Sequence, residues 1–172
     1  FQGIDTLEID VQIQMANGIP TFTIVGLPYK AVGESRVRVR AALGSIGLAP
    51  TPRRIVANLS PADVLKEGSH FDLPIAVGLL IAMGVVQQDE LERFAALGAL
   101  ALDGTLSPIA GVLPAAIGAN ATGRGPICPA VCGTEAAWAG SIQVLAPTDL
   151  IALINHIKGS QVLSPPKPKA AE

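Results

Sequence analysis

Ile55-Val56-Ala57-Asn58-Leu59-Ser60-Pro61-Ala62-Asp63-Val64-Leu65-Lys66-Glu67-Gly68-Ser69-His70-Phe71-Asp72-Leu73-Pro74-Ile75-Ala76-Val77 passes from an apolar strand, through a polar loop, into a helix of small residues. A strand followed by a helix across a short loop is the building unit of α/β folds. The loop also gathers Lys66, Glu67, Ser69, His70 and Asp72 within seven residues. Loops on a rigid scaffold are where functional groups are presented, so this is the first candidate site.

Toward the N-terminus, Leu7, Ile9, Val11 and Ile13 alternate with Glu8, Asp10 and Gln12, the period of a strand with one face on the core. Asn17-Gly18 and a second strand over Pro20 to Val25 predict a β-hairpin, because Asn-Gly accepts the positive φ angles of a tight turn. Pro28 suits the first turn of a helix, on which Val32, Val39, Leu43 and Ile46 share one face before Gly47 closes it. Arg36 and Arg40 fall one turn apart on one flank of that face and Arg38 on the other.

Toward the C-terminus the pattern predicts a helix from about Asp72 to Gly84 and a strand over Ala96 to Leu102 with Asp103-Gly104 as its turn. A helix over Ala110 to Ala121 follows, with Pro114 in its first turns. Then come a short strand near Pro126 to Cys128, a helical piece around Glu135 to Ala139, a strand Ile142 to Leu145, and a helix capped by Thr148 running to Ile157. The fold class is α/β: a mixed sheet with helices packed against it. No repeat of fixed period is present.

The chain has 172 residues, enough for one domain with its own core. Its 49% hydrophobic, 15% charged and 3% aromatic residues describe a globular domain packed with aliphatic side chains. A formal net charge of −2 gives no global attraction to nucleic acid or anionic membrane, so any such binding must come from a local patch. The longest apolar run, Leu73 to Val86, contains Pro74, Gly78 and Gly84 and is shorter than the ~20 residues that span a bilayer. Cys128 and Cys132 are too few for a disulfide framework, and with only His70 and His156 beside them no metal site is expected. Two reduced thiols imply a cytoplasmic location. The proline-rich, charged tail reads as a linker, so the expected organisation is a domain over residues 1–158 and a linker over 159–172 toward a further module.

Longer blocks carry a resemblance. Asn17 to Pro28, Glu34 to Ala42, Asn58 to Asp63, Lys66-Glu67-Gly68 and Phe71 to Ala76 resemble the amino-terminal domain of magnesium-chelatase-like AAA+ ATPases of the YifB/ComM type, over about residues 4 to 158. That resemblance implies the ribosomal protein S5 domain 2-like fold, similar to the proteolytic domain of Lon. It further implies that the parent protein is a hexameric ATP- and Mg2+-dependent motor, acting on DNA in branch migration during natural transformation. The partners so implied are its own AAA+ module, sister subunits, and branched or duplex DNA, with no membrane.

The Lon likeness raises a serine-lysine peptidase and then weakens it. Laid on the Lon motif, Lys66 to Asp72 puts His70 at the nucleophile position, Ser69 one place early and Asp72 at the head of the helix. Leu102 to Val112 resembles the later Lon segment, but Leu113, Pro114 and Ala115 stand where Lon has its lysines. A serine hydroxyl needs an adjacent base. His70 points away from Ser69 on entering a helix, and Lys66 is the one basic group nearby in sequence. The site is thus expected to be a degenerate one, with Ser69 and Asp72 capping the helix. No Gly-Lys dipeptide occurs, so no P-loop lies within the chain, and no cofactor is expected in it.

Binding remains. Arg36, Arg38, Arg40, Arg53 and Arg54 are five of twelve basic residues, with Lys30 and Lys66 as further candidates. Such a patch neutralises phosphates without reading bases. One Trp and one Tyr do not make a stacking platform for single strands, which favours duplex backbone. The alternative is that these arginines pair with Glu34, Asp63 and Glu67, or organise the subunits of a ring.

Overall fold

Alternating side chains build the first sheet. In the computed structural model, which describes residues 10–49, 52–60, 70–91, 94–138, 143–159 and 162–166, β1 (Asp10–Ala16), β2 (Thr21–Val25) and β3 (Arg54–Ser60) lie in the order β1-β3-β2. β3 runs antiparallel to β1, with Asp10 opposite Ser60, and parallel to β2, with Thr21 opposite Arg54. Phe22, Ile24, Ile55, Ala57 and Leu59 are buried on one face, while Gln12, Gln14, Thr21, Thr23 and Arg54 are exposed on the other. The beginning of the expected first strand, Leu7 to Ile9, lies outside the described residues.

The predicted hairpin does not form, because β3 is inserted between β1 and β2. A two-residue type I′ turn needs positive φ at both central positions. Among the described residues only glycines have positive φ, so Asn17 does not adopt it. The connection instead crosses the start of β3, where the Thr21 N–H donates to the Arg53 carbonyl at 3.3 Å.

Helix α1 (Tyr29–Ser45) starts directly after Pro28 and ends ahead of Gly47, as the apolar stripe predicts. Val39 and Leu43 are fully buried, and Val32 and Ile46 pack half-buried beside them. Helix α2 (Asp72–Ala82) buries nearly its whole length, as a helix without a polar face must. It rides close on β1: a Cβ added at Gly78 would lie 2.6 Å from Ile13 Cγ1. The main core fills the space between this sheet and helices α1, α2 and α5 (Leu150–Ile157).

The strand expected over Ala96 to Leu102 is two strands. β4 (Phe94–Ala96) pairs parallel with β7 (Gly125–Ile127), and β5 (Ala99–Leu100) pairs antiparallel with β6 (Leu106–Ser107). The break falls at Gly98, whose N–H donates to the His70 carbonyl at 2.9 Å and whose carbonyl accepts the Leu73 N–H at 3.0 Å. The backbone there serves the head of α2 instead of a ladder. The Asp103-Gly104 turn forms as predicted, with Asp103 Oδ1 accepting from Thr105 N and Oγ1. Instead of one mixed sheet, the described residues therefore hold a three-stranded sheet and two two-stranded ones.

Helix α3 (Val112–Ala121) carries Pro114 in its first turn, where a missing N–H costs nothing. After β7, a 3-10 turn (Ala130–Cys132) leads into the short α4 (Gly133–Ala137). α3, α4, Cys128, Cys132 and Val144 enclose a second, smaller core. Of the expected strand Ile142 to Leu145, Ile142 lies outside the described residues and Leu145 makes a single bridge to Ile127. The cap of α5 is Asp149, not Thr148: the Asp149 carboxylate accepts the Ala152 N–H at 2.7 Å, while the Thr148 carbonyl accepts from Leu106. Asp149 stands three residues before Ala152, the spacing from which an N-cap side chain reaches the helix. No helix of the described residues is long and apolar enough to cross a membrane.

Candidate nucleic-acid interface

The head of α2 is organised around a fully buried carboxylate. Asp72 Oδ1 accepts from Ser35 Oγ at 2.7 Å and Arg38 Nη2 at 3.2 Å. Its Oδ2 accepts from Arg38 Nε at 2.6 Å and from the Leu100 N–H at 3.1 Å. Four donors from α1 and β5 thus satisfy two oxygens, as burial of a charge requires. The hydrogen bond to Asp72 raises the pKa of Arg38 above its ordinary value, against the opposing effect of burial, so the guanidinium stays charged. Asp72 therefore does not cap its helix as expected. Among the described residues no side chain caps α2, and the Gly98 carbonyl takes the Leu73 N–H instead.

Two features of this cluster were hidden in the sequence. Ser35 stands three residues after Val32 and four before Val39, on the apolar stripe of α1, and that position is the signal that it faces inward. Nothing local tells that its partner is Asp72, or that Leu100 supplies the fourth donor. The ion partner expected for the arginines among Glu34, Asp63 and Glu67 is in part Glu34, whose carboxylate lies 3.9 Å from Arg38 Nη1. Asp63 and Glu67 lie outside the described residues.

Arg36 and Arg40 face the opposite flank of α1. Arg36 Nη1 donates to the Phe22 carbonyl at 3.0 Å, and the Arg40 guanidinium lies 5.7 Å from the centre of the Phe22 ring. Arg54 is the ladder partner of Thr21, and the Arg53 carbonyl accepts the Thr21 N–H. Arg36 and Arg40 thus reach Phe22 from α1, while Arg53 and Arg54 adjoin Thr21 through the backbone of β3, the Arg54 side chain on the exposed face of the sheet, all near the start of edge strand β2. Among the described residues no carboxylate pairs with any of these four. Arg40, Arg53 and Arg54 are exposed and Arg36 is half-buried.

Lys30 stands elsewhere. With Gly33, Glu34, Val37 and Arg38 it lines an open depression of about 470 Å³ on α1. Lys66 lies outside the described residues. The sequence candidates therefore divide into Arg36 and Arg40 at Phe22, Arg53 and Arg54 at the start of β3, Lys30 and Arg38 at the α1 depression, and Lys66 outside the described residues.

Residues 11–131 match the family model described as subunit ChlI of Mg-chelatase. The chain belongs to the ChlI family of magnesium-chelatase-like proteins. It is 35% identical over 161 residues to the competence protein ComM of Haemophilus influenzae, covering 94% of this chain and 32% of that protein. It is 34% identical over 169 residues to YifB of Escherichia coli, covering 98% of this chain and 33% of YifB. With YifB of Salmonella typhimurium the identity is 40% over 122 residues, covering 71% of this chain and 24% of that protein. This ChlI-family chain spans about a third of the length of the curated relatives it matches.

Of the Lon-like positions in the ChlI-family chain, Ser69 lies outside the described residues. His70 is half-buried and its carbonyl joins the Gly98 bridge; Leu113 and Ala115 are half-buried in the first turns of α3. Cys128 and Cys132 are free and buried. Burial first, then the neighbouring Cys132 and Glu135, push the Cys128 thiol up to about 12. Among the described residues no three His, Cys, Asp or Glu side chains come together as a metal site.

Proposed function

We propose that this chain is a non-catalytic N-terminal domain of a magnesium-chelatase-like AAA+ ATPase of the ComM/YifB type, and that it holds duplex or branched DNA by its backbone. The observation that carries this reading is that Arg36 and Arg40 at Phe22, and Arg53 and Arg54 at the start of β3, flank the start of β2 with no carboxylate paired to them among the described residues. A guanidinium has five donors, so Arg36 keeps several free after bonding the Phe22 carbonyl. Unpaired guanidinium groups from a helix and a neighbouring strand match phosphates along a backbone, not a single small anion. Arg38 is excluded from the contact because Asp72 holds it inward.

The wider reading follows from the family: the parent is a cytoplasmic, hexameric motor that uses ATP and Mg2+ to move DNA branches. No peptidase activity belongs to this domain, since Leu113 and Ala115 occupy the places where Lon-type enzymes carry lysine. A second reading, ring assembly without DNA contact, is favoured by the α1 depression. There an exposed Val37 shares the lining with Lys30 and Glu34, a surface suited to another protein.

Fluorescence anisotropy with labelled duplex and four-way-junction DNA tests the first reading. Affinity should fall with salt at a slope of about −0.9 per phosphate contacted. It should be lost when Arg36, Arg40, Arg53 and Arg54 are changed to Ala together. Absence of binding at low salt, with concentration-dependent oligomers abolished by Val37→Asp, would favour assembly instead.

A further inference from the structure

We propose that residues 162–166 form a strap docked on the body of the domain, with His156 as its catch. The proline-rich composition alone describes a free linker, but three contacts tie this piece to the body. The Leu163 N–H donates to His156 Nδ1 at 2.9 Å. The Leu163 side chain packs on the main core. Pro166 closes over the start of α4, where a Cβ added at Gly133 would lie 3.1 Å from Pro166 Cβ and Cγ and 2.9 Å from Ala146 Cβ.

These contacts span the molecule. His156 belongs to α5 and Leu163 to the main core, whereas Gly133 and Ala146 border the smaller core around α3 and α4. The strap therefore joins both cores over only a few residues. Its catch is specific in chemistry: an imidazole accepts at Nδ1 only when that nitrogen carries no proton, so His156 is held as the Nε2–H tautomer. Gly133 has an ordinary helical φ of −62°, so no turn calls for glycine there; a side chain would instead crowd Ala146 and Pro166.

The consequence is that residues 162–166 lie along this domain's own surface and are not a free linker. This stands apart from DNA contact, because the strap's contacts run to His156, the main core and Gly133, whereas Arg36 and Arg40 contact Phe22.

Backbone amide exchange, followed by NMR on the 172-residue chain, tests it. In the unaltered protein the Leu163 amide should exchange at least tenfold more slowly than an unstructured peptide amide. His156→Ala should remove that protection while amides of β3 and α2 keep theirs. Pro166→Ala, which leaves the catch intact, should lower it partially. Exchange of Leu163 at the unstructured rate in the unaltered protein would overturn the proposal. So would full protection retained in His156→Ala.

Discussion

Arg38 Nε lies 2.6 Å from Asp72 Oδ2, closing an ion pair between α1 and α2 whose carboxylate is fully buried. A cation that in sequence looks like one of a surface series is thereby a piece of internal scaffolding. Its neighbours two residues away in either direction, Arg36 and Arg40, point to Phe22 on the other flank. Helical spacing alone separates the two roles.

Removing one partner of a buried pair leaves the other uncompensated, at a cost of about 3–5 kcal/mol. Arg38→Ala should fall at the low end, because its side chain is 23% exposed and water reaches part of it. Asp72→Ala should cost more, since Ser35, Arg38 and Leu100 all lose an acceptor. Urea denaturation measures both. A loss below about 1 kcal/mol in both variants would place the pair with ordinary surface bridges.

Gly78→Ala should destabilise by about 1–3 kcal/mol through overpacking against Ile13. Shortening the neighbour should relieve it: Ile13→Ala combined with Gly78→Ala should be less damaging than the sum of the single changes. A double-mutant cycle in urea checks this, and additivity of the two changes would show that they do not touch.

Asp149→Ala should cost about 1 kcal/mol, the usual worth of an N-cap, while Thr148→Ala should change stability by only a few tenths. Thermal melts of the two variants side by side distinguish the assignments. Equal losses would mean that the cap is shared.

Both cysteines should resist thiol reagents in the folded protein at pH 8 and react promptly in denaturant. The Cys128 thiol, pushed up to about 12, has almost no thiolate at that pH. The sign for stability follows: a thiol whose pKa is raised by folding favours the native state while neutral. Its contribution is complete below about pH 9 and disappears as pH rises toward 12. Below pH 9 this group should leave the denaturation midpoint unchanged, which a pH series of urea melts would read.

Element type was legible wherever periodicity was long. The stripe Val32, Val39, Leu43 and Ile46 located α1, and the apolar run after Asp72 located α2. Strand pairing was not legible, because Asn17-Gly18 carries the local signal of a hairpin while the competing information, the affinity of β3 for both neighbours, lies more than thirty residues away. Gly98 interrupted a strand for a similar reason: its backbone partners, His70 and Leu73, belong to another element. At the candidate site the spacing of Arg36, Arg38 and Arg40 assigned the flanks of α1, yet only three-dimensional packing showed which flank meets a buried acid. Arg54 lies opposite Thr21, one residue from the Phe22 that Arg36 and Arg40 contact, because β3 pairs with β2, a fact of register that composition does not carry.

The central place of β3 also bears on how a ribosome delivers this domain. The segment carrying β1 and β2 emerges first, but neither strand meets its lasting partner until Arg54 to Ser60 has followed. Until then both present unpaired edges, and the tempting local pairing between them would have to come apart to admit β3. Sheets whose contacts are distant in sequence assemble slowly and leave sticky intermediates. The helix α1, formed from local contacts alone, is the element able to shelter β2 during that wait, with Arg36 already covering the outward carbonyl of Phe22.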